Sequence, residues 1–161
     1  MIIRSTRLVL ESISPKLAQR IAEREELPGD DWHSEYPFAD ELNPLRSLAK
    51  SKDPDPNFTM YLIRRNSDGQ AVGGIGFSGP PDARGRVQLG YGLVPSARGF
   101  GLATDAVVLV INHASQHGAM LAAANTNLDN VASQRVLTKN GFIEVARDDS
   151  LVYFERDLSA R

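Results

Sequence analysis

The segment Leu93-Val94-Pro95-Ser96-Ala97-Arg98-Gly99-Phe100-Gly101-Leu102-Ala103-Thr104 constrains this chain more than any other. Before it, Val87, Leu89, Tyr91 and Leu93 alternate with Gln88, Gly90 and Gly92, the period of a half-buried strand. After it, from residue 101 to 117, Ala103, Ala106, Val107, Val110, Ile111 and Ala114 recur on one helical face. A tight turn from strand to helix exposes backbone N–H groups where the helix dipole favours negative charge. Gly99 and Gly101 lack a Cβ, so a phosphate can approach the backbone closely. Arg98 adds a fixed cation with several donors. Together these features predict a pyrophosphate site, without saying whose pyrophosphate.

Size and composition bound the answer. A chain of 161 residues fits a single domain, 1–161, with a sizeable core. A formal net charge of −2 gives no sign of a nucleic-acid-binding surface. The absence of cysteine removes disulfides, thiolate metal sites and a cysteine nucleophile. No apolar run is long enough to span a membrane, and Met1-Ile2-Ile3-Arg4-Ser5 lacks the apolar segment of a signal peptide. A cytoplasmic protein is the expectation.

Along the chain, residues 6–11 alternate as a first strand, and Ser14-Pro15 reads as an N-cap and first helical residue. That helix is expected to end at Pro28-Gly29. Residues 30–38 have no clean period and read as a loop, and Asn43-Pro44 offers a second helix start. Residues 58–64 and 70–77 are strands joined by the hairpin turn Asn66-Ser67-Asp68-Gly69. Residues 80–85 turn into the strand at 87–93, and Arg84 and Arg86 belong to that solvated turn. A short buried strand at 120–124, a helix at 130–140 ending at Gly141, and a last pair of strands at 143–147 and 151–156 complete the order. The fold class is α/β in the α+β sense: a mixed, largely antiparallel sheet of about seven strands with helices on both faces. The phosphate turn follows the fourth strand rather than the first. In addition, no third glycine or acidic residue stands at dinucleotide-fingerprint spacing, which argues against that fold.

A second segment, Asn130-Val131-Ala132-Ser133-Gln134-Arg135-Val136-Leu137-Thr138-Lys139-Asn140-Gly141-Phe142, is a capped helix returning to the core. Together with Arg98-Gly99-Phe100-Gly101-Leu102-Ala103 it resembles the GNAT superfamily of acetyl-CoA-dependent N-acetyltransferases. The RimJ/RimL-type branch fits best, through Thr6-Arg7-Leu8-Val9-Leu10, Gly90-Tyr91-Gly92-Leu93, and the Asn130, Ser133, Gly141, Phe142 set. The resemblance implies a GNAT-like fold and direct attack of an amine on acetyl-CoA, with no acyl-enzyme and no metal. It implies that the backbone around Arg98, Gly99, Phe100, Gly101, Leu102 and Ala103 holds the CoA pyrophosphate. Leu93 and Val94 would splay from the next strand and pair with the pantetheine arm. Asn130 would bond the cofactor arm, and Ser133 would lie near the thioester sulfur and protonate the leaving thiolate. The acceptor would be a small-molecule amine or a protein N-terminus, and a homodimer is compatible with the family.

The chain departs from the family pattern at several positions. Ser96 stands where a Gln or Arg is usual in the phosphate turn, and Leu137 where some relatives carry a tyrosine acid. Gln88 stands where a general-base Glu is frequent, and an amide cannot take the proton that a protonated amine must lose. Glu35 or Asp31, a water chain, or an acceptor that arrives neutral are the readings left open. Trp32, His33 and Tyr36 are candidates to line an amine pocket, or else a loop with tucked-in aromatics. Asn130 also works as a plain helix cap. His113 and His117, four apart, read as solvated flank residues, because metal ligation would need a third ligand. The missing Glu keeps a second class of function in play, a catalytically silent acyl-CoA-binding or sensing module.

Overall fold

The computed structural model describes residues 1–159. Local turn chemistry sets the middle of the fold. Asn66-Ser67-Asp68-Gly69 folds β3 (Met60–Arg65) onto β4 (Ala71–Phe77), with Gly69 at φ +74° and the Gln70 N–H donating to Asp68 Oδ1 at 3.1 Å. β4 pairs antiparallel with β5 (Arg86–Leu93) across a turn in which Asp82 Oδ1 accepts the N–H groups of Arg84 (2.8 Å) and Arg86 (3.0 Å). On the other side of β3 lies β2 (Leu8–Ser12), and outside it β1 (Ile2–Arg4), a strand that the sequence pattern does not predict. The sheet of the described residues therefore has eight strands rather than about seven, and the phosphate turn follows the fifth. Beyond β5 come β6 (Leu121–Asn127), β8 (Leu151–Asp157) and the exposed edge strand β7 (Ile143–Arg147). The β5–β6 step is the one parallel pairing between two strands of the sheet among the described residues, and its crossover is α3 (Leu102–Gln116).

The helices start and stop where caps allow. Ser14 Oγ accepts the Leu17 N–H (3.1 Å) to open α1 (Pro15–Ala22), which ends well before Pro28-Gly29. α2 (Leu42–Ala49) begins earlier than its Asn43-Pro44 signal, because a 3-10 turn, Ala39–Glu41, leads straight into it. Pro44 then falls in the first helical turn, where its missing N–H costs no hydrogen bond. Asn130 Oδ1 accepts the Ser133 N–H (3.2 Å) and opens α4 (Val131–Lys139).

Register assigns the two faces of the sheet. Tyr61 and Ile75 are cross-strand partners on one face, where Tyr61 packs edge-on against His113 of α3. Leu62, Gly74 and Gly92 are in register on the other face, which meets Phe38 and Glu41 of the segment leading into α2. α1 and α2 pack together, as do α3 and α4, so helical layers cover both faces. The core runs through Leu10, Tyr61, Ile63, Ile75, Val110 and Ile111, all essentially solvent-free. His113 belongs to this core and is no solvated flank residue: Nε2 is 3.1 Å from the Asn57 carbonyl and 3.4 Å from the Tyr61 hydroxyl. His117 stacks on it at 4.2 Å and places Nδ1 2.8 Å from the His113 carbonyl. No helix is long and apolar enough to cross a membrane, and no group of three or more metal-ligating side chains forms, among the described residues.

Candidate functional site

β5 and β6 part company early. Their pairing covers Arg86, Val87 and Gln88 against Leu121, Ala122 and Ala123, then stops. β6 continues along β8, while β5 runs on to Leu93 with β4 on one side and no strand on the other among the described residues. The result is a wedge-shaped opening in the sheet with a free strand edge, Leu89 to Leu93, along one wall. The Gln88 carbonyl and the Val94 N–H (2.8 Å to Val72) bond toward β4, so Val94 offers no N–H to the wedge and the alternating residues Leu89, Tyr91 and Leu93 face the free edge. Of these groups the Leu93 carbonyl is already engaged, accepting from Arg98 Nε (3.0 Å).

The wedge ends at the glycine turn. Pro95–Ala97 forms a short 3-10 turn, then Gly99 (φ +88°) and Gly101 (φ +80°) both take left-handed backbone conformations that a side chain would strain. This path aims the backbone N–H groups from Gly99 to Thr104 outward, and none of them has an acceptor among the described residues. An anion would satisfy them and meet the positive end of α3. Arg98 spends its Nε on Leu93, and its terminal nitrogens make no hydrogen bond among the described residues, its charge acting on Glu35 at a distance. Phe100 is 66% exposed at the tip. A residue absent from the sequence candidates completes the turn. Arg7, just before β2, donates to the Phe100 carbonyl and pairs with Asp105 of α3 at 3.4 Å, so its guanidinium stands over Gly101. In the sequence only the Thr6-Arg7-Leu8-Val9-Leu10 run points toward it.

Across the wedge, α4 presents Ser133 to β5. The hydroxyls of Ser133 and Tyr91 lie 2.8 Å apart, and Tyr91 also donates to the Ser133 carbonyl at 3.1 Å. Burial pushes the Tyr91 hydroxyl up to about 12, so it remains protonated and able to donate at neutral pH. Sequence spacing does not reveal Tyr91. It supplies a tyrosine hydroxyl from the strand, although Leu137 of α4 is fully buried and supplies none.

The remaining candidates lie on the other face. Gln88 is the last β5 residue paired with β6 and stands at the apex of the wedge. Glu35 accepts the Ser96 N–H (3.0 Å) and hydroxyl (2.9 Å) at the end of β5. These bonds, the backbone one first, hold its carboxyl below the usual range and keep it ionised but a weak base. His33 lies beside it, with Nδ1 accepting the Glu35 N–H at 3.0 Å. Trp32 and Tyr36 belong to the core, 6% and 4% exposed and edge-to-face at 6.3 Å, so neither offers an open wall. Their burial brings in Glu41, a carboxyl the sequence did not flag. It is 6% exposed, faces the Tyr36 hydroxyl without a hydrogen bond of normal geometry, and is pushed up to about 8 by burial.

The family model described as acetyltransferase (GNAT) domain matches residues 7–143. An uncharacterized N-acetyltransferase, YjdG, of Bacillus subtilis (strain 168) is 29% identical over 119 residues, covering 73% of this chain and 67% of that protein. Among solved structures, RimL, a ribosomal L7/L12 alpha-N-protein acetyltransferase in complex with coenzyme A, superposes with a TM-score of 0.71 at 17% identity over the full length of both chains. A ribosomal-protein-S5-alanine acetyltransferase from Vibrio fischeri gives 0.69 at 16% identity, covering 99% of this chain and 98% of that one. An acetyltransferase of the GNAT family from Bacillus anthracis gives 0.70 at 17%, covering 98% and 99%. With a split sheet whose free strand edge runs into an N–H-lined turn, and a family match over most of its length, the chain belongs to the GNAT acetyltransferase domain family.

Proposed function

We propose that this protein is an acetyl-CoA:amine N-acetyltransferase of the RimJ/RimL-like branch, transferring acetyl directly to a primary amine. The observation that supports it most is the continuity of the donor path: the unpaired β5 edge leads directly into the outward-facing N–H groups from Gly99 to Thr104. The cradle fits a pyrophosphate in charge and geometry, with Arg98 and Arg7 at its rim. The open backbone groups of Leu89 and Tyr91 and the Leu93 N–H fit an extended pantetheine arm, which would lie along the edge as an added strand.

Acetyl-CoA brings an activated thioester, and the residues around it manage protons. The Ser133 hydroxyl, backed by Tyr91, is the proton donor for the departing thiolate, because this pair sits on the wedge wall and stays protonated. Gln88 orients by hydrogen bonding but takes no proton. Glu35 is tied to Ser96 and carries its negative charge where a cationic acceptor would approach. Loss of the amine proton to water, or entry of the neutral amine, fits these groups better than a carboxylate base at Glu35.

Incubation with acetyl-CoA and a panel of primary amines, read as release of free thiol, tests the proposal. Amine-dependent thiol release is the expected result. Thermal stabilisation by CoA with no thiol release for any amine would instead establish a silent acyl-CoA-binding module.

A further inference from the structure

Gln88, Gly90 and Gly92 share the face of β5 turned toward Phe38 and Glu41, and their β4 neighbours on that face, Gly74 and Gly76, are glycines too. The space a side chain would take at three of these glycines is filled by the protein itself. At Gly74 a Cβ would lie 2.5 Å from Glu41 Oε1, at Gly92 it would run into the Phe38 ring, and at Gly76 it would lie 2.5 Å from the Thr59 carbonyl. Gly90 alone of the four has nothing within 4 Å of that position, and it is exposed. Its backbone is not in the left-handed region, so no conformational demand calls for glycine there. A strand interior is also a poor place for glycine, which there marks a bulge, a tight bend or the close approach of a ligand or another chain, and the β4–β5 register runs unbroken through Gly90. Gly90 lies two residues past Gln88, where β5 has just lost β6, and so opens onto the wedge.

We infer that the empty space over Gly90 is the acceptor slot: it receives the carbon that bears the attacking amine, between the Gln88 side chain and the Phe38 ring. The inference rests on the N-acetyltransferase reading above. A slot one side chain deep, floored by backbone, suits a primary amine whose neighbouring carbon lies flat on the strand. Each substituent on that carbon competes for the same space. The class of acceptor is therefore a primary amine on an unbranched or lightly substituted carbon.

Gly90→Ala and Gly90→Val test this, since both side chains project into open space and valine favours a strand. The readouts are CoA-induced thermal stabilisation, amine-dependent thiol release, and amine-independent hydrolysis of acetyl-CoA. The panel contains linear diamines and glycine-terminal peptides, with CH2 next to nitrogen, set against alanine-terminal peptides and α-methyl amines. Gly90→Val should keep the CoA shift and the hydrolysis while kcat/KM for amines falls at least tenfold. Gly90→Ala should lower kcat/KM several-fold more for the branched amines than for the unbranched. Wild-type kinetics in both variants, or loss of CoA binding in step with activity, would overturn the slot. A wild-type protein that binds CoA yet acetylates no amine overturns the N-acetyltransferase reading itself, and the slot with it.

Discussion

Glu41 carries a measurable signature in stability. Its carboxyl is buried against Gly74 with no hydrogen-bond partner, and burial raises it from 4.5 to about 8. In the unfolded chain the group ionises near 4.5, while in the fold it keeps its proton until about 8. Between those values the folded state binds the extra proton, so stability falls as pH rises through the window and levels off above it. A separation of about 3.5 pH units, at ~1.36 kcal/mol per unit, corresponds to a loss of about 4–5 kcal/mol across the window. Glu41→Gln keeps the shape and removes the ionisation. Urea unfolding at pH 5, 7 and 9 should show wild-type stability dropping steeply by pH 9 and the variant far less dependent on pH. If the variant retains the wild-type slope, Glu41 is not the buried titrating group and the reasoning fails.

Three further outcomes follow from the site and the core. Gly99→Asp and Gly101→Asp put a carboxylate and left-handed strain of ~1–2 kcal/mol at the anion cradle, so CoA affinity by calorimetry should fall more than tenfold. Ser133→Ala should lower kcat by about 10²-fold while the CoA dissociation constant stays near wild type, and Tyr91→Phe should lower kcat less, because it removes only the backing hydroxyl. Burial, then the neighbouring His117, holds His113 below the ordinary histidine value of 6.5. Its neutral form is favoured in the fold, so stability should begin to fall as pH drops below 6.5, and His113→Gln should lessen that fall in acid denaturation.

The elements that can be read from the sequence are those whose causes lie within a few residues. The β3–β4 turn, the Ser14 and Asn130 caps, and the glycine turn before α3 each follow from side chains that bond their own neighbours. β1 escapes because it is three mostly exposed residues whose strand character comes wholly from pairing with β2. The start of α2 shifts because Ala39–Glu41 is already coiled as it packs on the sheet, overriding the Asn43-Pro44 signal. His113 looked solvated because a helix-flank pattern does not show that Tyr61 and Asn57 close over it.

The same distinction divides the site. On the proposed reading, donor recognition would be made largely by backbone: a strand edge and a run of N–H groups, both placed by a short motif with glycines at fixed offsets. Such a motif is visible in one dimension. The rest of the site depends on contacts far apart in sequence, and no local period encodes them. Tyr91 meets Ser133 across 42 positions, Arg7 meets Phe100 across 93, and Glu35 reaches Ser96 across 61. Residue type leaves Trp32 and Tyr36 open between a pocket wall and tucked-in aromatics, and only the fold decides for the second, since both pack into the core. What shapes the acceptor side is which glycines the fold fills and which it leaves open. Gly74, Gly76 and Gly92 are filled and Gly90 is not, a difference that five glycines in β4 and β5 with ordinary strand backbone do not announce in the sequence. With the acceptor slot proposed over Gly90, acceptor choice would turn on Phe38, Gln88 and Gly90 and could change while the donor motif stays fixed.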